Sequence, residues 1–108
     1  MTIATDLSLG ASPQRDQMLS MLRDFKREYA EELGILEIGI FGSFARDAAG
    51  ANSDLDICIK TETPNPYNLV HIKDEIQRRI HRKVDIVRVR ARMSPLLKER
   101  IEREAIYA

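Results

Sequence analysis

Gly42-Ser43-Phe44-Ala45-Arg46-Asp47, followed across a short loop by Ser53-Asp54-Leu55-Asp56, is the stretch that decides how this chain folds. Immediately before it, Ile35 to Phe41 is a short apolar run rich in isoleucine, the pattern of a buried strand. Gly42-Ser43 breaks that run. Phe44 to Ala49 is long enough for a turn or two of helix, so the glycine and serine read as a strand-to-helix turn. After the loop Gly50-Ala51-Asn52-Ser53 comes a clean alternation, with Leu55, Ile57 and Ile59 on one face and Asp54, Asp56 and Cys58 on the other. Asp54 and Asp56 therefore leave one strand on the same side.

On the N-terminal side, residues 1–11 are poorly patterned and expected to form a mobile lead-in to a single domain over 12–108. Ser12-Pro13 reads as an N-cap with proline at the first helical position. Met18, Leu22, Phe25, Tyr29 and Leu33 then form one stripe of an amphipathic helix, closed by Gly34. On the C-terminal side, the two prolines between Thr61 and Pro66 make a turn, and Leu69, Ile72, Ile76 and Ile80 recur at helical spacing. Lys83 to Val89 reads as a third strand. Ser94-Pro95 repeats the cap signature before a closing helix with Leu97, Ile101 and Ala105 on one side. The predicted order is α-β-α-β-α-β-α: an α/β (α+β) domain with a small mixed sheet backed by helices.

The aspartates point to metal chemistry. Two carboxylates two residues apart on a strand repel one another, and a divalent cation relieves the repulsion. Oxygen ligands favour Mg2+ or Mn2+. Asp85, in the third strand, points opposite to Val84 and Ile86. If that strand pairs beside the second, three carboxylates share one sheet face, as a two-metal site requires. The Gly42-Ser43 turn suits a different ligand. Backbone amides at a helix N-terminus, with the serine hydroxyl, can hold a triphosphate. Glycine lets the backbone approach the phosphates closely. Each part alone is ordinary surface chemistry, and the combination on these elements is what carries weight.

Gly42-Ser43, ten intervening residues and Asp54-Leu55-Asp56 together resemble the G-S-x10-D-x-D signature of the nucleotidyltransferase superfamily that includes DNA polymerase beta. Gly-Ser-Phe-Ala-Arg followed by Ser-Asp-Leu-Asp-Ile is similar to the minimal (MNT or MntA-type) nucleotidyltransferases. The resemblance extends to a closing helix ending Glu104-Ala105-Ile106-Tyr107. It implies that Gly42 and Ser43 bind nucleotide phosphates and that Asp54, Asp56 and Asp85 are catalytic and hold two Mg2+ ions. Asp85 would also help deprotonate the attacking hydroxyl. Arg46 would neutralise phosphate or brace the loop. Many relatives carry glycine where this chain has Asp47, which leaves the shape of that turn open. The family further implies transfer of AMP from ATP to a tyrosine of a helical HEPN-domain toxin, with this chain as the antitoxin. Antitoxin action by occlusion with little catalysis, and transfer to a small molecule of the aminoglycoside kind, are the competing readings.

Composition bounds these expectations. At 108 residues, with 44% hydrophobic and 31% charged, the chain is expected to be one soluble domain with one core. No apolar run reaches the roughly 20 residues of a membrane span. The first ten residues do not read as a signal peptide, and one cysteine, Cys58, forms no internal disulfide, so a cytoplasmic location is expected. Net charge is zero, but residues 1–70 hold 6 basic and 11 acidic side chains and residues 71–108 hold 11 and 6. The basic cluster of Arg78, Arg79, Arg82, Lys83, Arg88, Arg90 and Arg92 reads as solvated charge or a partner-docking face, and few aromatics accompany it to stack nucleic-acid bases. His71 and His81 read as surface residues, and Met18 and Met21 as packing. A chain this small is expected to act with a partner that holds the acceptor, and homo- and hetero-oligomers are both open.

Overall fold

Residues 13–108 are described by a computed structural model of the chain; the expected lead-in and the Ser12 cap lie outside the described residues. Helix α1 runs Pro13–Leu33. Its buried stripe is Leu19, Leu22, Phe25 and Leu33, with Met18, Met21 and Tyr29 partly buried at its margins. Gly34 ends it in the left-handed region at φ 66°, where a side chain would be strained. Strand β1 follows at Ile35–Phe41, and β2 at Leu55–Thr61. Helix α2, Pro66–Ile80, is capped by Asn65, whose side chain accepts from the Asn68 N–H at 3.1 Å. His81 closes it in a left-handed C-cap and is exposed, as is His71. Strand β3 is Val84–Arg88, α3 is Pro95–Glu104 with the expected Ser94 cap, and β4 is Ile106–Tyr107.

The strands form one mixed sheet in the order β3-β2-β1-β4. β1 pairs antiparallel with both β2 and β4, while β2 and β3 run parallel across the α2 crossover. Alternation divides β2 between two cores. Leu55, Ile57 and Ile59 are fully buried against α1 and α2 with Phe25, Ile38, Ile40, Phe44, Ile72 and Ile76. Cys58, on the opposite face, packs with Phe41 and Ile101 under α3. The expected mixed sheet backed by helices is therefore present, with helices on both faces.

Two expectations are corrected. Residues 42–47 form consecutive turns instead of a helix, because Asp47 adopts φ 60° and halts any helical continuation. The closing helix stops at Glu104, where Ala105 turns extended (φ −65°, ψ 138°) and delivers Ile106–Tyr107 to the open edge of β1. That edge was free to accept a strand, and its unpaired amides and carbonyls gain partners by doing so. Among the described residues no helix is long and apolar enough to cross a membrane.

The β1–β4 contact leaves no room at Gly39: a Cβ there would lie 2.6 Å from the Ile106 carbonyl oxygen and 2.9 Å from Tyr107 Cα. Gly39→Ala is expected to lower stability by about 1–3 kcal/mol. Denaturant unfolding measures the loss, and amide exchange should accelerate at Ala108, whose N–H donates to Ile38 O at 2.9 Å.

Candidate active site

Parallel pairing sets Asp56 directly opposite Asp85 in the β2–β3 register. Neighbouring strands lie about 4.8 Å apart, so the two side chains rise from adjacent points of one face. Asp54, one residue ahead of β2, leaves on that same face. The Asp56 side chain is only 22% exposed, against 44% for Asp54, and Asp85 is exposed. Burial raises the Asp56 pKa, and the negative charges of Asp85 and Asp54 add to the rise; Arg100 and Arg46 oppose it. Among the described residues no three acidic, histidine or cysteine side chains form a group close enough to hold a metal ion. The three predicted ligands thus share a face without closing into one ligand set. What fits a cation is the chemistry of the donors: mutually repelling carboxylates around a half-buried Asp56 suit a hard divalent ion.

The Gly42 turn lies against this face. Gly42 has φ 75°, where a side chain is strained, and a Cβ on it would stand 2.1 Å from Asp56 Oδ2 and push that carboxylate aside, so both backbone conformation and space favour glycine. The turn is held by amides donating from Arg46 to Gly42 O (3.0 Å), Asp47 to Phe44 O (3.2 Å) and Ala48 to Ser43 O (2.8 Å). With no helix after it, an anion at this turn meets local amides and side chains without the dipole of a following helix. The left-handed shape at Asp47 is one that glycine takes freely and aspartate tolerates. Phe44 and Ala45 are buried and anchor the turn in the first core.

The basic cluster is largely spent on internal contacts. Arg82 lies over the Phe44 ring at 5.0 Å and donates to the carbonyls of Gly50, Ala51 and Ser53, the last at 2.6 Å. It therefore clamps the loop that delivers Asp54. Arg79 bridges Glu28 on α1 and Glu75 on its own helix, and Arg88 donates to Thr61 Oγ1 at 2.7 Å. Cys58 is buried, which pushes its thiol pKa up and makes it a poor nucleophile. A surface hollow of about 520 Å³ between α1 residues and Ala108 lies away from the aspartates. We place the site at the carboxylates, because size alone supplies no chemistry.

Two site residues escape a reading by sequence. Glu104 Oε1 accepts from the Gly42 N–H at 3.1 Å, Arg46 Nη1 at 3.0 Å and Arg100 Nε at 3.4 Å. Burial would raise the Glu104 pKa, but the Gly42 amide and the two arginines outweigh it and hold it below the ordinary value. Arg100 lies over Phe41 at 5.4 Å, with Nη2 3.9 Å from Asp56 Oδ2. The available signal was an Arg–Glu pair four residues apart on the closing helix. That spacing is common on solvated helices and does not say which face docks.

A raised Asp56 pKa means that the folded state binds this proton more tightly than the unfolded chain does. Its contribution to stability is therefore lost as pH rises from the ordinary carboxylate value of 3.8 through the higher folded value. Asp56→Asn is expected to raise the melting temperature at pH 7, with the difference from the unsubstituted chain vanishing below that window. Thermal unfolding across pH checks the sign.

A family model for the nucleotidyltransferase domain matches residues 22–108. The chain is 30% identical over 93 residues to protein adenylyltransferase MntA of Thermococcus cleftensis, covering 85% of this chain and 93% of that one. A solved toxin–antitoxin complex with AMP-PNP superposes with a TM-score of 0.64 at 20% identity, covering 86% of this chain and 70% of its counterpart. A complex of the tri-AMPylated Shewanella oneidensis HEPN toxin with MNT antitoxin gives 0.56 at 18% identity, covering 87% and 67%. The two structures show a shared fold. With a sheet face of carboxylates, a glycine turn set against it and a family match over most of its length, the chain belongs to the nucleotidyltransferase domain family.

Proposed function

We propose that this nucleotidyltransferase moves AMP from ATP to a tyrosine hydroxyl of a HEPN-domain protein and so acts as the antitoxin of that partner. The observation that carries the reading is the seating of Gly42 directly against the Asp56 carboxylate. It makes the phosphate turn and the carboxylate face one surface. The name of the Thermococcus relative and the AMPylated toxin bound to MNT antitoxin support the acceptor class.

On that surface the Gly42-Ser43 turn binds the triphosphate and Arg46 adds positive charge beside it. Asp54, Asp56 and Asp85 would hold two Mg2+ ions, or Mn2+, which when bound supply positive charge at the phosphates and the leaving pyrophosphate. The acceptor oxygen bonds to the α-phosphorus as the bond to the β-phosphate oxygen breaks. Asp85, exposed at the rim, helps take the hydroxyl proton, and pyrophosphate leaves. ATP as donor is consistent with a reaction in the cytoplasm.

ATP labelled at its α-phosphate, incubated with Mg2+, this chain and a HEPN-domain partner, should label the partner at tyrosine, as located by peptide mass spectrometry. Asp54→Asn and Asp56→Asn should each cut incorporation by at least about a hundredfold. Neutralisation of the partner that survives both substitutions without any label would replace catalysis with occlusion. Label found only in small products would move the acceptor to a small molecule.

A further inference from the structure

Arg100 stands between two carboxylates. Its Nε is 3.4 Å from Glu104 Oε1, while its Nη2 remains 3.9 Å from Asp56 Oδ2, beyond direct hydrogen bonding. A guanidinium seated fully on Asp56 would neutralise the same oxygens that a divalent cation needs, so the two compete. Resting on the nucleotidyltransferase reading above, we propose that Glu104 is a positioning residue whose carboxylate draws Arg100 off Asp56 and so keeps Asp56 available to a divalent cation.

Glu104 is suited to this because it cannot follow Arg100 across. The Gly42 N–H and Arg46 Nη1 also donate to its Oε1, and only 12% of its side chain is exposed. It sits one helical turn beyond Arg100 on α3, and the fully buried Ile101 docks that helix on the sheet. Arg100, by contrast, is 42% exposed, with its guanidinium carbon over the Phe41 ring at 5.4 Å. Removing the Glu104 charge leaves Arg100 with Asp56 as the carboxylate facing its Nη2.

The test is a substitution cycle read by direct Mn2+ binding to the full chain, followed by electron paramagnetic resonance of the free ion. Glu104→Gln keeps an oxygen acceptor for the Gly42 N–H while losing the charge. It is expected to weaken Mn2+ binding about fivefold, the factor corresponding to one partly exposed ion pair. Arg100→Gln alone should bind Mn2+ as tightly as the unsubstituted chain or tighter. The double substitution should return to within about twofold of the unsubstituted chain. A double variant as weak as Glu104→Gln would make Glu104 a ligand or a simple brace and overturn the proposal, as would a Glu104→Gln chain with unaltered binding. If Glu104→Gln does not fold, Arg100→Gln carries the test, and a loss of Mn2+ affinity there overturns it. Mn2+ binding that is absent in the unsubstituted chain, or indifferent to Asp56→Asn, would remove the metal reading itself. Binding that depends on Asp56 with a flat cycle would remove only the role of Glu104.

Discussion

Everything near the carboxylate face is arranged around a half-buried aspartate facing another across a parallel strand pair. Asp56 lies opposite Asp85, with Asp54 two residues away on the same side, and burial and both charges act against its ionised form. A sheet shaped for stability alone would not place like charges there. The fold tolerates the arrangement because Leu55, Ile57 and Ile59, the alternate residues of the same strand, are fully buried in the main core. The strand that carries the unfavourable charge is thus among the most firmly held parts of the chain.

The counter-charge comes from α3, which serves both the core and the site. Ile101 and Leu97 close the second core over Phe41 and Cys58, and that docking carries Arg100 and Glu104 to the carboxylate face. Arg100 moderates Asp56, while Glu104 collects the Gly42 amide and the Arg46 and Arg100 guanidiniums on one oxygen. A closing helix that reads in sequence as an apolar stripe of Leu97, Ile101 and Ala105 thereby becomes part of the site. On the far side of the turn, Arg82 acts in a comparable way by tying Phe44 to the loop ahead of Asp54.

Local pattern made much of this legible. The alternation from Asp54 to Ile59 separated the carboxylate face from the core face, and the apolar spacing in α1 and α2 marked the sides that became buried. Gly42 was recognisable as a position where the chain must turn, and its positive φ and its contact with Asp56 agree with that. Two local readings failed for physical reasons. Phe44 to Ala49 has acceptable helix formers, but Asp47 takes a left-handed conformation and the segment folds as turns. Ile106-Tyr107 looks like the end of a helix until an open strand edge offers it partners.

What the sequence by itself determined is the periodicity of each element and the type of chemistry it can carry, because alternation and turn residues act over a few neighbours. Those were enough to put Gly42, Ser43, Asp54 and Asp56 in one stretch and to expect a small mixed sheet. Only the tertiary structure decided that Asp85 stands opposite Asp56, since strand order and register depend on the path of a crossover helix. It alone also decided that Arg100 and Glu104, far along the chain, meet the Gly42 turn. Contacts at that separation arise from which face of α3 packs on the sheet, and no local spacing encodes that choice.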